Sequence, residues 1–134
     1  MNAVSYVKVA LVACLPLAAM AQVSEAVLAE AKAAIAKGTK YLVSVQKESG
    51  GFSDEQFPAL TALPLWALAG SGDAGLAGAA DKAAGFVASK AQPDGGIYVP
   101  IPGRKGGGLG NYNTSVCVTA LHATGKKDFT RVIL

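Results

Sequence analysis

KGTKYLVSVQKESGGF, residues Lys37 to Phe52, reads as the end of an amphipathic helix, then a glutamine, a glycine turn and an aromatic residue. Lys82 to Ile97, KAAGFVASKAQPDGGI, repeats the plan: Phe86 stands for Tyr41, Val87 for Leu42, Gln92 for Gln46, and Gly95-Gly96 for Gly50-Gly51. The second copy carries one extra residue before its glutamine and one fewer between glutamine and glycine. Ala67-Leu68 and Gly72 then recur 53 residues later as Ala120-Leu121 and Gly125. Self-similarity of this kind marks a chain built of stacked units. Two copies of helix, glycine turn, helix predict an all-α repeat fold, with units over about 24–72 and 77–125.

Working outward, Val27, Ala31, Ile35, Gly38, Leu42 and Val45 recur every three to four residues, with Glu30, Lys32, Lys37 and Lys40 off the stripe. That is one face of a helix. Ser24 suits its N-cap and Gly50-Gly51 its stop. The next helix differs in kind. Pro58 fits a first helical position, and Ala59 to Ala69 is apolar apart from Thr61, so the expectation is a helix buried all round and disturbed at Pro64. Ala77 to Ala91 returns to the amphipathic type. Asn113, with Thr114 and Ser115, is expected to cap a second apolar helix that Gly125 ends, and Lys127 to Leu134 starts another amphipathic one. Outer, amphipathic helices thus alternate with inner, apolar ones, a pattern that favours concentric layers.

The N-terminus carries a different message. Lys8 is the only charge before Glu25, Val9 to Met20 is apolar apart from the break at Pro16, and Ala19-Met20-Ala21 offers small residues where a signal peptidase reads. Residues 1–21 are therefore expected to be a secretory signal, cleaved after Ala21, leaving 22–134 as the repeat domain. The apolar run is too short for a membrane span, which takes about 20 residues. Leu11-Val12-Ala13-Cys14 is a weaker lipoprotein alternative. Localisation would be secreted or periplasmic. Removing 21 of 134 residues leaves 113, with Cys117 as the one cysteine and no internal disulfide. The remaining 11 basic and 9 acidic residues give +2, scattered along the chain with no stripe for a nucleic acid.

Lys37, Gly38, Tyr41, Leu42, Gln46, Gly50 and Phe52 fall in register with the repeat motif of squalene–hopene cyclases: Lys/Arg-Gly/Ala, aromatic-aliphatic, Gln, Gly and aromatic at fixed spacing. The second copy fits more loosely, since its glutamine is shifted and Ile97 replaces the aromatic. Asn111-Tyr112-Asn113-Thr114-Ser115 leading into Ala120-Leu121 likewise resembles the prenyltransferase and squalene oxidase repeat of secreted bacterial proteins. The resemblance covers most of the chain after residue 25. It implies an α/α toroid in which five to seven helix pairs close a ring. The two pairs and a start seen here would be an N-terminal fragment. It also implies that the motif residues Tyr41, Gln46, Gly50, Phe52, Phe86, Gln92, Gly95 and Gly96 are structural, each glutamine tying its helix to the start of a neighbouring one.

For chemistry the sequence offers less. Trp66, Tyr98 and Tyr112 are candidates to line an apolar cavity or its mouth, where ring faces could stabilise a cation. Arg104 and Lys105 sit in the long loop 93–112 beside Gly106 to Gly108, but a phosphate loop needs Gly-Lys-Ser/Thr leading into a helix, and Lys105 is followed by three glycines. Cys117 and His122 lie five apart on one helix, about 140° around its axis, and point to different faces. Neither the Asp-x-Asp-Asp acid of the cyclases nor the Asp-x-Cys zinc ligands of protein prenyltransferases occur. The expectation is accordingly no catalytic residue, no metal and no cofactor here. The reading favoured is a non-catalytic exported scaffold or a module binding an apolar, isoprenoid-like ligand or another protein. The alternative is a terpenoid cyclase or prenyltransferase whose catalytic residues lie beyond residue 134.

Overall fold

The computed structural model describes residues 24–104 and 108–133. The expected signal with its Cys14 alternative, and Lys105, lie outside the described residues. Five helices follow in order: α1 (Glu25–Val45), α2 (Ala59–Gly70), α3 (Ala77–Ala88), α4 (Gly110–Ala123) and the short α5 (Thr130–Ile133). One-turn 3₁₀ segments, Ala74–Leu76 and Lys127–Phe129, lead into α3 and α5. The described residues include no strand, only isolated bridges between Ala91 and Ile97 and between Ile101 and Arg104. The protein is all-α. Two compact units divide at Lys32. In the first, Ser24 caps α1 through its Oγ, which accepts from the Val27 N–H at 3.3 Å. All that follows concerns Ala33–Leu134.

Here the same bonds occur twice. The Lys47 N–H donates to the Gly51 carbonyl and the Gly50 N–H to the Lys47 carbonyl; Gln92, Gly96 and Gly95 do the same. Gly50 and Gly95 share a left-handed backbone, φ 86° and 85°. Just after each turn a backbone N–H is received by a threonine: Phe52 by Thr61 Oγ1 and Ile97 by Thr114 Oγ1, both at 2.9 Å. At the far end of the pair, Ser71 Oγ and Thr124 Oγ1 each donate to a leucine carbonyl, Leu68 and Leu121, at 2.7 Å. Gly72 and Gly125 then turn the chain at φ 71° and 66°. Positions of the first helix and turn of each unit therefore correspond at a constant 45, and those of the second helix at 53.

This register corrects the matching of the glutamines. Nothing is inserted before Gln92: its backbone occupies the place of Lys47, one step past Gln46. The side chains accordingly do different things. Gln46 Nε2 donates to the carbonyls of Gly50 (3.1 Å) and Ala79 (2.9 Å), tying the turn to the first turn of α3. Gln92 Nε2 reaches only its own loop, at the carbonyls of Lys90 and Tyr98.

The core gathers Phe52, Leu65, Leu68, Phe86, Val87, Ile97 and Leu121, with alanines and Cys117 between them. α2 is its centre and packs on both α3 and α4. Small residues such as Ala62, Ala83, Ala84 and Ala120, all fully buried, let these helices approach closely. α2 continues through Pro64, whose ring removes a single bond to the preceding turn. Three expectations fail. α2 is not buried all round: Leu63 and Trp66 are exposed on one side. α3 ends at Ala88, where Ser89 Oγ takes the Phe86 carbonyl and the chain turns toward the Ala91–Ile97 bridge. α4 starts at Gly110, so Asn113 lies inside its first turn and caps α2 instead, its Oδ1 accepting from the Ala59 N–H at 3.2 Å.

Candidate functional site

α1 and α2 enclose an open groove of about 760 Å³. Ile35, Gly38, Thr39, Tyr41 and Leu42 form its α1 wall; Leu63, Trp66 and Ala67 form most of the other. The rings and chains that line it are out in solvent: Ile35 is 55% exposed, Tyr41 65% and Trp66 48%. Such an exposed apolar concavity is unusual on a monomer's surface, which makes the groove the candidate binding site. Two of its hydroxyls bond back to their own helices. Thr39 Oγ1 donates to the Ile35 and Ala36 carbonyls, back onto its own helix, and Ser71 Oγ to Leu68. Apart from the Tyr41 phenol, no titratable side chain lines it. The groove can hold an apolar body, with the Tyr41 phenol the one ionisable side chain along its lining.

A second concavity, about 820 Å³, lies where the Asp94–Tyr98 turn meets the start of α4, and brings Tyr98 and Tyr112 together. The Tyr98 hydroxyl donates to Asp94 Oδ2, and Asp94 Oδ1 accepts from the Gly96 N–H. The bond from Tyr98, helped by that from Gly96, holds the Asp94 carboxyl below its ordinary range, and the same bond holds the Tyr98 phenol above its own. This pair stiffens the glycine turn. Arg104 sits apart, its N–H on the Ile101 carbonyl and its side chain alongside Gly108. The five candidates therefore do not converge: Trp66 lies in one groove, Tyr98 and Tyr112 in another, Arg104 on the loop, and Lys105 is outside the described residues.

Among the motif residues, Gly50, Phe52 and Phe86 are buried, with Lys90 Nζ 4.5 Å from the centre of the Phe86 ring. Tyr41 faces the open groove instead of the core. Cys117 is fully buried and His122 exposed, on different faces of α4. Burial pushes the Cys117 thiol up to about 12, so it is inert at neutral pH. No group of three or more His, Cys, Asp or Glu side chains that could hold a metal ion occurs among the described residues. No helix among them is long and apolar enough to cross a membrane.

Sequence reasoning missed Ile35, Leu63 and Ala67 as groove residues. Their counterparts one repeat on, Ala80, Val116 and Ala120, are buried or half-buried, a difference in neighbours that leaves no mark in the residues themselves. Compared with models of known families, with characterised proteins and with solved structures, the chain matches none.

Proposed function

We propose that this chain is an exported, non-catalytic repeat scaffold of the prenyltransferase and squalene-cyclase type, its helix pairs forming part of an α/α toroid, and that it binds through the groove of α1 and α2. The observation that carries the reading is the groove's lining: apolar, open, and with the Thr39 and Ser71 hydroxyls committed to carbonyls of their own helix. A reaction on an isoprenoid would need a proton donor or a metal at such a wall, whereas adhesion needs only apolar area. The recurring turn bonds, glycine geometry and threonine acceptors support the repeat reading, and the motif residues support the family.

The test is expression of the whole gene in a bacterial host. The expected result is export, an N-terminus at Gln22, and no conversion of squalene or farnesyl diphosphate by the purified protein, followed by mass spectrometry of extracted products. A cyclised hydrocarbon or a released diphosphate would place the chain among the enzymes instead.

A further inference from the structure

The two copies differ in what covers them. The α1 wall residues Ile35, Gly38, Thr39, Tyr41 and Leu42 correspond to Ala80, Ala83, Ala84, Phe86 and Val87, every one of which is buried. On the inner helices, exposed Ala67 corresponds to Ala120, which is fully buried. What lies over that second set is α2, which packs against both α3 and α4. The groove is thus the same receiving face that α3 and α4 present to α2, open among the described residues.

α4 shows the other half of the same contact. Ala59, Ala62 and Leu65 on α2 are fully buried. Their counterparts on α4 are Tyr112, which is 52% exposed, Ser115, which is exposed, and Val118, which is half-buried. Neither half carries a charge: the groove lining has none, and the α4 flank offers a phenol, a hydroxyl and a valine. A face that receives such a helix, in the first repeat, and a face that presents one, in the second, both uncharged, are complementary by construction.

We infer that the groove of one copy receives the α4 flank of a second copy, continuing between chains the packing that α2 makes with α3 and α4 within one. The inference rests on the repeat reading above and names the protein partner that reading leaves open. Such a contact joins two different surfaces, so copies add head to tail and either close a ring or grow.

The test uses two lysine substitutions at exposed positions, Ala67→Lys in the groove and Ser115→Lys on the flank. Both residues face solvent within one chain, and the Ser115 side chain is bonded only to the Asn111 carbonyl, so each variant should keep the circular dichroism and melting curve of the wild type. Trp66→Lys serves as a second groove variant. By analytical ultracentrifugation the wild type should associate as concentration rises, and each variant alone should be a monomer, because every groove or every flank is blocked. A mixture of the Ala67→Lys and Ser115→Lys chains should form a one-to-one dimer and stop there, since one intact groove meets one intact flank. A wild type that stays monomeric, association that survives both single substitutions, or a mixture that fails to pair would each overturn the inference. So would a monomer whose Trp66 emission shifts on adding farnesol, which would give the groove to a small apolar ligand. None of these outcomes bears on export or catalysis, so this inference and the proposed function fail separately.

Discussion

Asn113, on α4, accepts through its Oδ1 the backbone N–H of Ala59, the first residue of α2, across 54 residues of sequence. The preceding residue, Pro58, has no N–H, and the next amides, of Leu60 and Thr61, are taken by the carbonyls of Phe57 and Pro58. α4 therefore supplies the N-terminal cap of α2. Asn113→Ala should leave the Ala59 amide buried without a partner and cost about 1–3 kcal/mol, read as a lower urea midpoint with unchanged slope. Asn113→Asp keeps the acceptor beside a helix N-terminus and should lose less.

Gly50 and Gly95 share a backbone conformation but differ in surroundings. A methyl on Gly50 would run into the Lys82 carbonyl of α3, while Gly95 has nothing within 4 Å. Gly95→Ala should show only the strain of a left-handed alanine, about 1 kcal/mol. Gly50→Ala adds a collision with backbone and should be distinctly the less stable of the two in thermal melts. Equal losses would mean that the turn and α3 are not packed as described.

Thr61 and Thr114 hold the two post-turn amides. Thr61 is fully buried, so Thr61→Val should expose the cost of an orphaned Phe52 N–H, about 1–3 kcal/mol. Hydrogen exchange at the Phe52 amide should accelerate more than at its neighbours. Thr114→Val, at a part-buried position, should have the milder effect on Ile97.

Cys117 predicts a pH dependence. Its thiol ionises near 9 when unfolded and near about 12 when folded. Between those values the folded chain binds the additional proton, so this contribution to stability is fully present below pH 9 and is lost as pH rises toward 12. The slope is at most about 1.4 kcal/mol per pH unit. The difference between wild type and Cys117→Ala, measured by urea unfolding from pH 8 to 10.5, should isolate it.

What could be read in the residues was local and periodic: Ser24 at its cap, the glycine turns, and the helices on either side of them. What could not be read depended on neighbours. Trp66 and Leu63 belong to an apolar run, and apolar runs state what a helix can bury, not whether anything lies against it. Asn113 has the composition of a cap for its own helix; only the position of α2 turns it to Ala59. Gln92 matched Gln46 by identity, while the backbone bonds of Lys47 and Gln92 set the true register. Tyr98 and Tyr112 were expected to share a cavity with Trp66, but they line the second concavity while Trp66 lines the groove.

Between the pinned amide and its threonine the first unit spans 9 residues, Phe52 to Thr61, and the second 17, Ile97 to Thr114. Both are clamped by one bond of the same length, and everything after each clamp resumes the same course. By the logarithm of loop length, the longer excursion costs only about 0.6 kcal/mol more to close. The chain thus has one place in each unit where residues can be added or removed without disturbing the frame, always at the same end of the helices. Variation in length, and whatever recognition comes with it, is channelled to a single rim.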